Sequence, residues 1–337
     1  MMKNWLSCMC VLLLAFSLIG CKDESRKVKI GVSLGVGPAA RWRAEKDFME
    51  ERAKEIGADI EVRLNLGDKP KTQAEDCFEM LSDGIDVLII TPRNVRNVDE
   101  ILTYAKQRNV KVISYARAVM GGSVELFIGY DCYKIGQSMG QHLTEKVYRG
   151  DIIILKGDAD DFNTPLLYYG AMKYIKPLVE SGDLKVVLDT HVPKWSPAEA
   201  KKRVKEAVAA NGNHIDAILA SNDLLAGAGA EALKELGVGN HVVITGMDAE
   251  LAAVKRILAG TQDATVYMDL KELAYAAVDE AYSLATKNKV NVNSELVNDR
   301  TNKINAFLIN GKVVTRENID KVLIEPGHFT KEEVYPE

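Results

Sequence analysis

Ile85-Asp86-Val87-Leu88-Ile89 returns 130 residues later as Ile215-Asp216-Ala217-Ile218-Leu219. Each is a short apolar run of the kind that makes a strand buried on both faces. The run Lys111–Ala116 has its counterpart at Val242–Thr245, at about the same spacing. A repeat on this scale predicts two similar α/β lobes rather than one large sheet.

Outward from these runs the chain alternates. Strands are expected at Val28–Leu34, Ile60–Leu66, Val87–Ile90, Lys111–Ala116 and Leu126–Tyr130, then at Ile152–Leu155, Val186–Val192, Ala217–Ala220, Val242–Thr245 and Ala264–Tyr267. Between them lie amphipathic stretches such as Trp42–Ile56, Lys71–Leu81, Ala198–Ala210 and Leu224–Leu236. Strand–helix alternation with apolar strands predicts parallel sheets covered on both faces. Ser196-Pro197-Ala198-Glu199 reads as a capping box with proline in the first turn, and Gly237 stands where a helix-terminating residue belongs. After Ala264–Tyr267 come a helix at Glu272–Lys287, an Asn-rich stretch (Asn288, Asn291, Asn293) and a late strand near Lys303–Leu308, expected to be chain returning between the lobes.

Composition narrows the functions. The 337 residues are 47% hydrophobic and 27% charged, with a net charge of −5 and no long basic run, which argues against a nucleic-acid partner. The beginning of the chain bears on its compartment. Lys3 precedes the apolar stretch Met9–Ile19, too short to span a bilayer, and Leu18-Ile19-Gly20-Cys21 resembles a bacterial lipobox. Residues 1–20 are therefore expected to be a lipoprotein signal peptide, with Cys21 acylated and residues 21–27 a short polar tether. The expected product is extracytoplasmic and anchored to the cell membrane by its lipid, in a periplasm or at a cell surface.

Of the five cysteines only Cys77 and Cys132 then remain as thiols; two buried apolar thiols are favoured over one disulfide. No Cys-x-x-Cys and no spaced histidine pair occurs, so neither a metal nor a cofactor is expected.

Three enzyme-like motifs weaken on inspection. Gly35-Val36-Gly37-Pro38-Ala39-Ala40 reads as a dinucleotide fingerprint, yet bulky Arg41 and Trp42 follow at once, and Asp68 lies past Gly67 rather than at a strand end. Gly136-Gln137-Ser138-Met139-Gly140 spells a nucleophile elbow but falls inside a helical pattern from Tyr133 to Val147, where two glycines four apart signal close helix packing. Asp158, Asp160 and Asp161 lack the glycine and oxygen ligands of a calcium loop, with Phe162 and Asn163 in those places. No catalytic residue is assigned.

The better constellation suits a sugar, which offers a flat C–H face to an aromatic ring and a rim of hydroxyls to charged and amide groups. Beyond the leader the chain has one indole per half, Trp42 and Trp195. Arg41, Arg117, Asp161, Asn163, Asn222 and Asp248 all follow expected strands, at the sheet edge where open α/β folds bind ligands. Asp223 follows the same strand as Asn222, with capping of the next helix as its plainer alternative.

At these residues a resemblance enters. Arg41-Trp42, Ile85 to Pro92, Tyr115-Ala116-Arg117, Trp195-Ser196-Pro197, Ile215 to Asp223, Gly246-Met247-Asp248-Ala249 and Gly260-Thr261-Gln262 stand in an order similar to that of the type I periplasmic sugar-binding proteins of ABC importers, most like the D-xylose-binding branch. The similarity runs from about Val28 to Phe329. It implies an α/β fold of two Rossmann-like lobes with parallel sheets and a three-strand hinge. Residues 28–131 plus about 268–307 would form one lobe, and residues 132–267 plus about 308–337 the other. By the same resemblance Arg41 and Arg117 would bind sugar oxygens, with Trp42 near a sugar face. Asn163, Asn222 and Asp248 would hold hydroxyls, Asp161 would contribute more weakly, and Trp195 would stack. Two positions depart: Ala116 stands where the family has Asp, and Met268 where the xylose-binding pattern has Lys, which bears on the choice of sugar.

The expected activity is capture of a monosaccharide by a monomer, D-xylose or a related sugar, and its delivery to an ABC permease. Alternatives are a sensory binding protein docking a membrane kinase or chemoreceptor, the ligand domain of a transcription repressor, and a secreted enzyme using Ser138 or the Asp cluster.

Overall fold

The computed structural model describes residues 26–35, 39–65, 72–95, 98–238, 241–297 and 303–335. The expected signal peptide, Cys21, most of the tether, residues 36–38 of the fingerprint-like stretch, and Gly67 with Asp68 lie outside them.

Two sheets organise the chain. The first takes β1 (Lys29–Leu34), β2 (Asp59–Leu64), β3 (Val87–Ile90), β4 (Lys111–Tyr115) and β5 (Leu126–Tyr130), then accepts β11 (Ser294–Val297) and β12 (Lys303–Ile309) from late in the chain. Its order is β11-β12-β5-β4-β3-β1-β2, parallel throughout except for β11 against β12. The second joins β6 (Gly150–Lys156), β7 (Leu184–His191), β8 (Ala217–Ala220) and β9 (Val243–Thr245) in the parallel order β7-β6-β8-β9. A small antiparallel pair, β10 (Thr265–Tyr267) with β13 (Lys312–Val314), stands beside it. Two α/β units with mainly parallel sheets are what the alternating pattern predicts, and their arrangement is the fold that the resemblance implies.

Burial follows strand position. β3 and β8 are buried along their whole length, whereas the edge strands β2 and β7 are mostly half-buried. On the first sheet, α1 (Ala39–Ile56) and α9 (Leu270–Ala285) pack together on one face, while α2 (Gln73–Ser82) and α3 (Asp99–Gln107) share the apolar cluster on the other. On the second, α4 (Cys132–Lys146) and α5 (Asn163–Glu180) cover one face, and α6 (Pro197–Ala210) and α7 (Asp223–Glu235) the other. α8 (Leu251–Ala259) packs against α10 (Lys331–Val334) at the end of the chain.

The chain passes between the sheets three times: at Asp131 after β5, at Met268 and Asp269 after β10, and at Asn310 and Gly311 between β12 and β13. The Asp131 amide donates to the Ile309 carbonyl at 2.9 Å, tying two of these passages together. A Cβ on Gly311 would lie 3.0 Å from the Ile135 side chain and closer still to that of Val266, so glycine is what lets the third passage lie against them.

β11 and β13 were not expected. β11 follows the Asn-rich stretch and alternates half-buried and exposed residues at a sheet edge; β13 has three residues, too few for a periodicity signal.

Gly136 and Gly140 lie inside α4, where a Cβ on Gly140 would be 2.7 Å from the Ala171 Cα and one on Gly136 2.8 Å from the Leu167 carbonyl carbon. Gly170 of α5 meets Tyr133 in the same way. The elbow-like motif is a helix–helix contact, and the Ser138 hydroxyl donates to the Lys134 carbonyl of its own helix at 3.1 Å.

Candidate functional site

The C-terminal ends of the two sheets face each other, and loops from both meet between them. From the first sheet, the turn after β4 carries Ala116 and Arg117. From the second, the loop after β6 carries Asp161 and leads into α5 at Asn163. Arg117 Nη2 lies 3.6 Å from Asp161 Oδ2, and Asn163 Nδ2 donates to the Ala116 carbonyl at 3.4 Å. Phe162, between those two residues, sets its ring edge toward Phe127 of β5 at 6.4 Å between centroids. The cleft is closed.

Arg41 enters from the first turn of α1. Its Nε donates to Glu45 Oε1 at 3.0 Å, and its guanidinium stacks on Trp42 at 4.9 Å from the ring centroid. Burial opposes the Arg41 charge, but Glu45, Tyr130, Tyr115 and Asp248 together outweigh it, so its pKa is raised. Asp248 thus acts on Arg41 from the opposite lobe.

Asp248 follows β9, and its backbone, like that of Ala249, has positive φ (106° and 51°). Burial is the main cause that pushes its carboxyl up to about 8. Asp223 and Glu250 add to the rise, while Arg41 and a hydrogen bond from Asn222 oppose it. Asn222 caps α7 through its Oδ1, which accepts from the Leu225 amide at 3.0 Å.

Asp223 follows β8 as expected but does not cap α7, a place that Asn222 takes. It is buried, accepting from Gln262 Nε2 at 2.9 Å, Thr265 Oγ1 at 2.8 Å and the Glu250 amide at 3.0 Å. Burial nevertheless pushes its carboxyl up to about 7. It ties α7 to the Gln262–Thr265 segment and so fixes the floor on which Asp248 stands.

Trp195 closes a single 3-10 turn, Pro193–Trp195, and its φ is +53°. Its six-membered ring covers Gly157, where any Cβ would overlap it, and Thr164 borders the same spot. This ring therefore lies beside the β6–α5 loop that carries Asp161 and Asn163. Ala116 also has positive φ, 59°. Left-handed backbone at non-glycine residues costs energy and clusters where loops are held for binding.

The other two expected residues sit deeper. Trp42 is only 3% exposed and Met268 5%, both within one apolar cluster that includes Tyr115, Tyr130 and Ala116. Met268 brings no polar group, and the Arg41 guanidinium lies over the Trp42 ring. The Asp158 and Asp161 carboxylates accept from backbone amides of their own and the Trp195 turn. Arginines and carboxylates converging from two lobes with an indole between form a set for holding hydroxyls; no nucleophile–base pair stands among these residues.

The comparisons with known proteins agree with this geometry. Residues 30–289 match the family model described as periplasmic binding protein domain. The chain is 33% identical over 321 residues to the D-xylose-binding periplasmic protein of Haemophilus influenzae, covering 95% of this chain and 96% of that one. It is also 33% identical over 332 residues to the protein of the same name from Escherichia coli, covering 98% and 99%. An ABC transporter solute binding protein from Clostridium phytofermentans, solved with β-D-glucose bound, superposes with a TM-score of 0.82 at 26% identity, over 91% of this chain and all of the other.

Proposed function

We propose that this chain, which belongs to the periplasmic binding protein family, captures a monosaccharide between its lobes and hands it to an ABC permease. The observation that carries the reading is the meeting of Arg117 and Ala116 of one lobe with Asp161 and Asn163 of the other, beside Trp195. These groups donate to and accept from hydroxyls on both sides of a ring, and only a closed cleft presents them together. Relatives named for D-xylose favour a pentose or a closely similar sugar. Ligand favours closure because it binds the closed form better.

Arg41, Arg117, Asn163, Asn222 and Asp248 hold the hydroxyls, Asp161 positions Arg117, and Trp195 packs on the sugar. Two lobes, residues 28–131 with about 268–307 and residues 132–267 with about 308–337, move about the three passages. The protein acts as a monomer outside the cytoplasm, held to the membrane by lipid on Cys21; the support is the Leu18-Ile19-Gly20-Cys21 motif.

A thermal-shift screen against pentoses, hexoses and a few disaccharides tests the reading. One monosaccharide should raise the melting temperature, by the equivalent of about 2.7 kcal/mol at a hundredfold excess over Kd. Trp195→Ala and Asp248→Ala should abolish that rise. Silence across all sugars overturns the proposal.

A further inference from the structure

We propose that Phe162 is the closing residue of the cleft: carried on the second sheet, its ring seats in an apolar cluster of the first, and this contact scales the affinity for every sugar by one common factor. The affinity part of the proposal rests on the sugar-binding reading above.

Phe162 lies in the loop between β6 and α5, at the N-cap of α5. Small polar side chains are preferred in that place because their oxygen accepts from amides of the first turn. Phe162 makes no such bond, so its reason for standing there is not local. The ring packs instead on the cluster of Ile90, Val119, Phe127 and their neighbours, between the first sheet and α2 and α3. Every other apolar residue of that cluster belongs to the first sheet, to its loops or to those two helices. Among the described residues Phe162 alone reaches it from the second sheet.

Phe127 meets the ring with centroids 6.4 Å apart and planes at 67°, the edge-to-face arrangement that aromatic pairs favour. Phe127 itself lies across Gly129, two residues on along the same face of β5, where any Cβ would overlap its ring. Glycine thus leaves Phe127 leaning toward the C-terminal end of the strand, which is the cleft end. Opening the cleft would return the Phe162 ring to water.

The neighbours of Phe162 cross the cleft as well, Asp161 to Arg117 at 3.6 Å and Asn163 to the Ala116 carbonyl at 3.4 Å. A sugar held by Arg117 and Asn163 takes up groups that make those two polar contacts, whereas the ring contact uses none of them. The share of closure due to Phe162 is therefore the same whichever sugar is bound. An apparent Kd is the closed-form Kd divided by the fraction closed, so a change in that fraction moves all sugars alike.

Phe162→Ala and Phe162→Leu, made in the full chain, test this by small-angle X-ray scattering without sugar and by titration and off-rate measurements with two sugars. The sugars are the two, among pentoses and hexoses, that the wild type binds most tightly. Phe162→Ala should lower the closed-to-open ratio by about tenfold. A wild type that rests closed shows this as a larger ligand-free radius of gyration in the variant; one that rests open shows it as an equal loss of affinity. Both sugars should lose the same factor to within about twofold, through faster release, and Phe162→Leu should fall between. The ligand-free melting temperature should hold within about 2 °C, because the open form is folded too. A ring that touches sugar would cost the two sugars unequal factors. A ring that only supports the fold would lower the melting temperature and leave scattering and affinity alone. Either result overturns the inference, as does wild-type scattering together with affinities within about twofold. If no sugar binds the wild type, scattering decides alone: a larger radius in Phe162→Ala keeps Phe162 as the closing residue while the sugar reading fails, and an unchanged radius removes both.

Discussion

Arg117 and Asp161 are an ion pair between lobes: Nη2 and Oδ2 stand 3.6 Å apart, each in a loop that follows a strand of a different sheet. Both side chains are partly exposed, at 25% and 10%, so the pair stabilises the closed form by on the order of 1 kcal/mol. That still multiplies the closed-to-open ratio about fivefold.

Asp161→Asn should therefore open the ligand-free protein. Small-angle X-ray scattering should give it a larger radius of gyration than the wild type, and added sugar should bring the two together. Identical ligand-free curves would remove the latch.

The acids of the cleft set a pH dependence. Asp248 and Asp223 have folded pKa values of about 8 and about 7, above the ordinary carboxylate value near 4. A raised carboxyl binds its proton more tightly folded than unfolded. Its contribution is thus complete below the unfolded pKa and lost as pH climbs through the folded one. Melting temperatures of the ligand-free protein should fall by several degrees between pH 5 and about 8. Asp248→Asn should flatten that slope, and an equal slope in the variant would count against the assignment.

The α4–α5 contact should be intolerant at its glycines and indifferent at its serine. Gly140→Ala forces a Cβ into the Ala171 backbone and should cost about 1–3 kcal/mol or more in urea unfolding. Ser138→Ala removes one bond to the Lys134 carbonyl and should move stability by less than about 1 kcal/mol, with sugar affinity unchanged. Loss of binding in Ser138→Ala alone would revive a role for that hydroxyl.

Cys77 and Cys132 are both buried, in separate apolar clusters, and both are free thiols. Burial pushes the Cys77 thiol up to about 12 and raises Cys132 further. Neither should react with a thiol reagent at neutral pH until the protein unfolds, and reductant should leave the melting temperature unchanged. Rapid labelling of the native protein contradicts this.

Strand and helix positions were legible because buried parallel strands write their pattern as unbroken apolar runs. Val87–Ile90, Leu126–Tyr130 and Ala217–Ala220 coincide with their expected bounds. The residues at the strand ends were legible for the same reason, since a charge straight after such a run has little choice but the sheet edge. Glu45 was not, because a carboxylate four residues past an arginine reads as an ion pair on a solvated helix face. Only the tertiary packing of β4 and β5 against α1 buries it. The partners of Asp223 were hidden likewise: Gln262 and Thr265 stand about forty residues away, beyond any local pattern.

The three passages between the sheets also govern the order in which the molecule can be completed. β5 pairs with β12 across about 180 residues, Phe127 with Ala306, and the whole second sheet is threaded in between. During synthesis the first sheet waits with β5 as an open edge, and with the face that α9 covers still bare, until nearly the last strand has emerged. Closing so long a loop is slow as well as late. A chain built this way stays unfinished, and therefore threadable, for most of the time it takes to make.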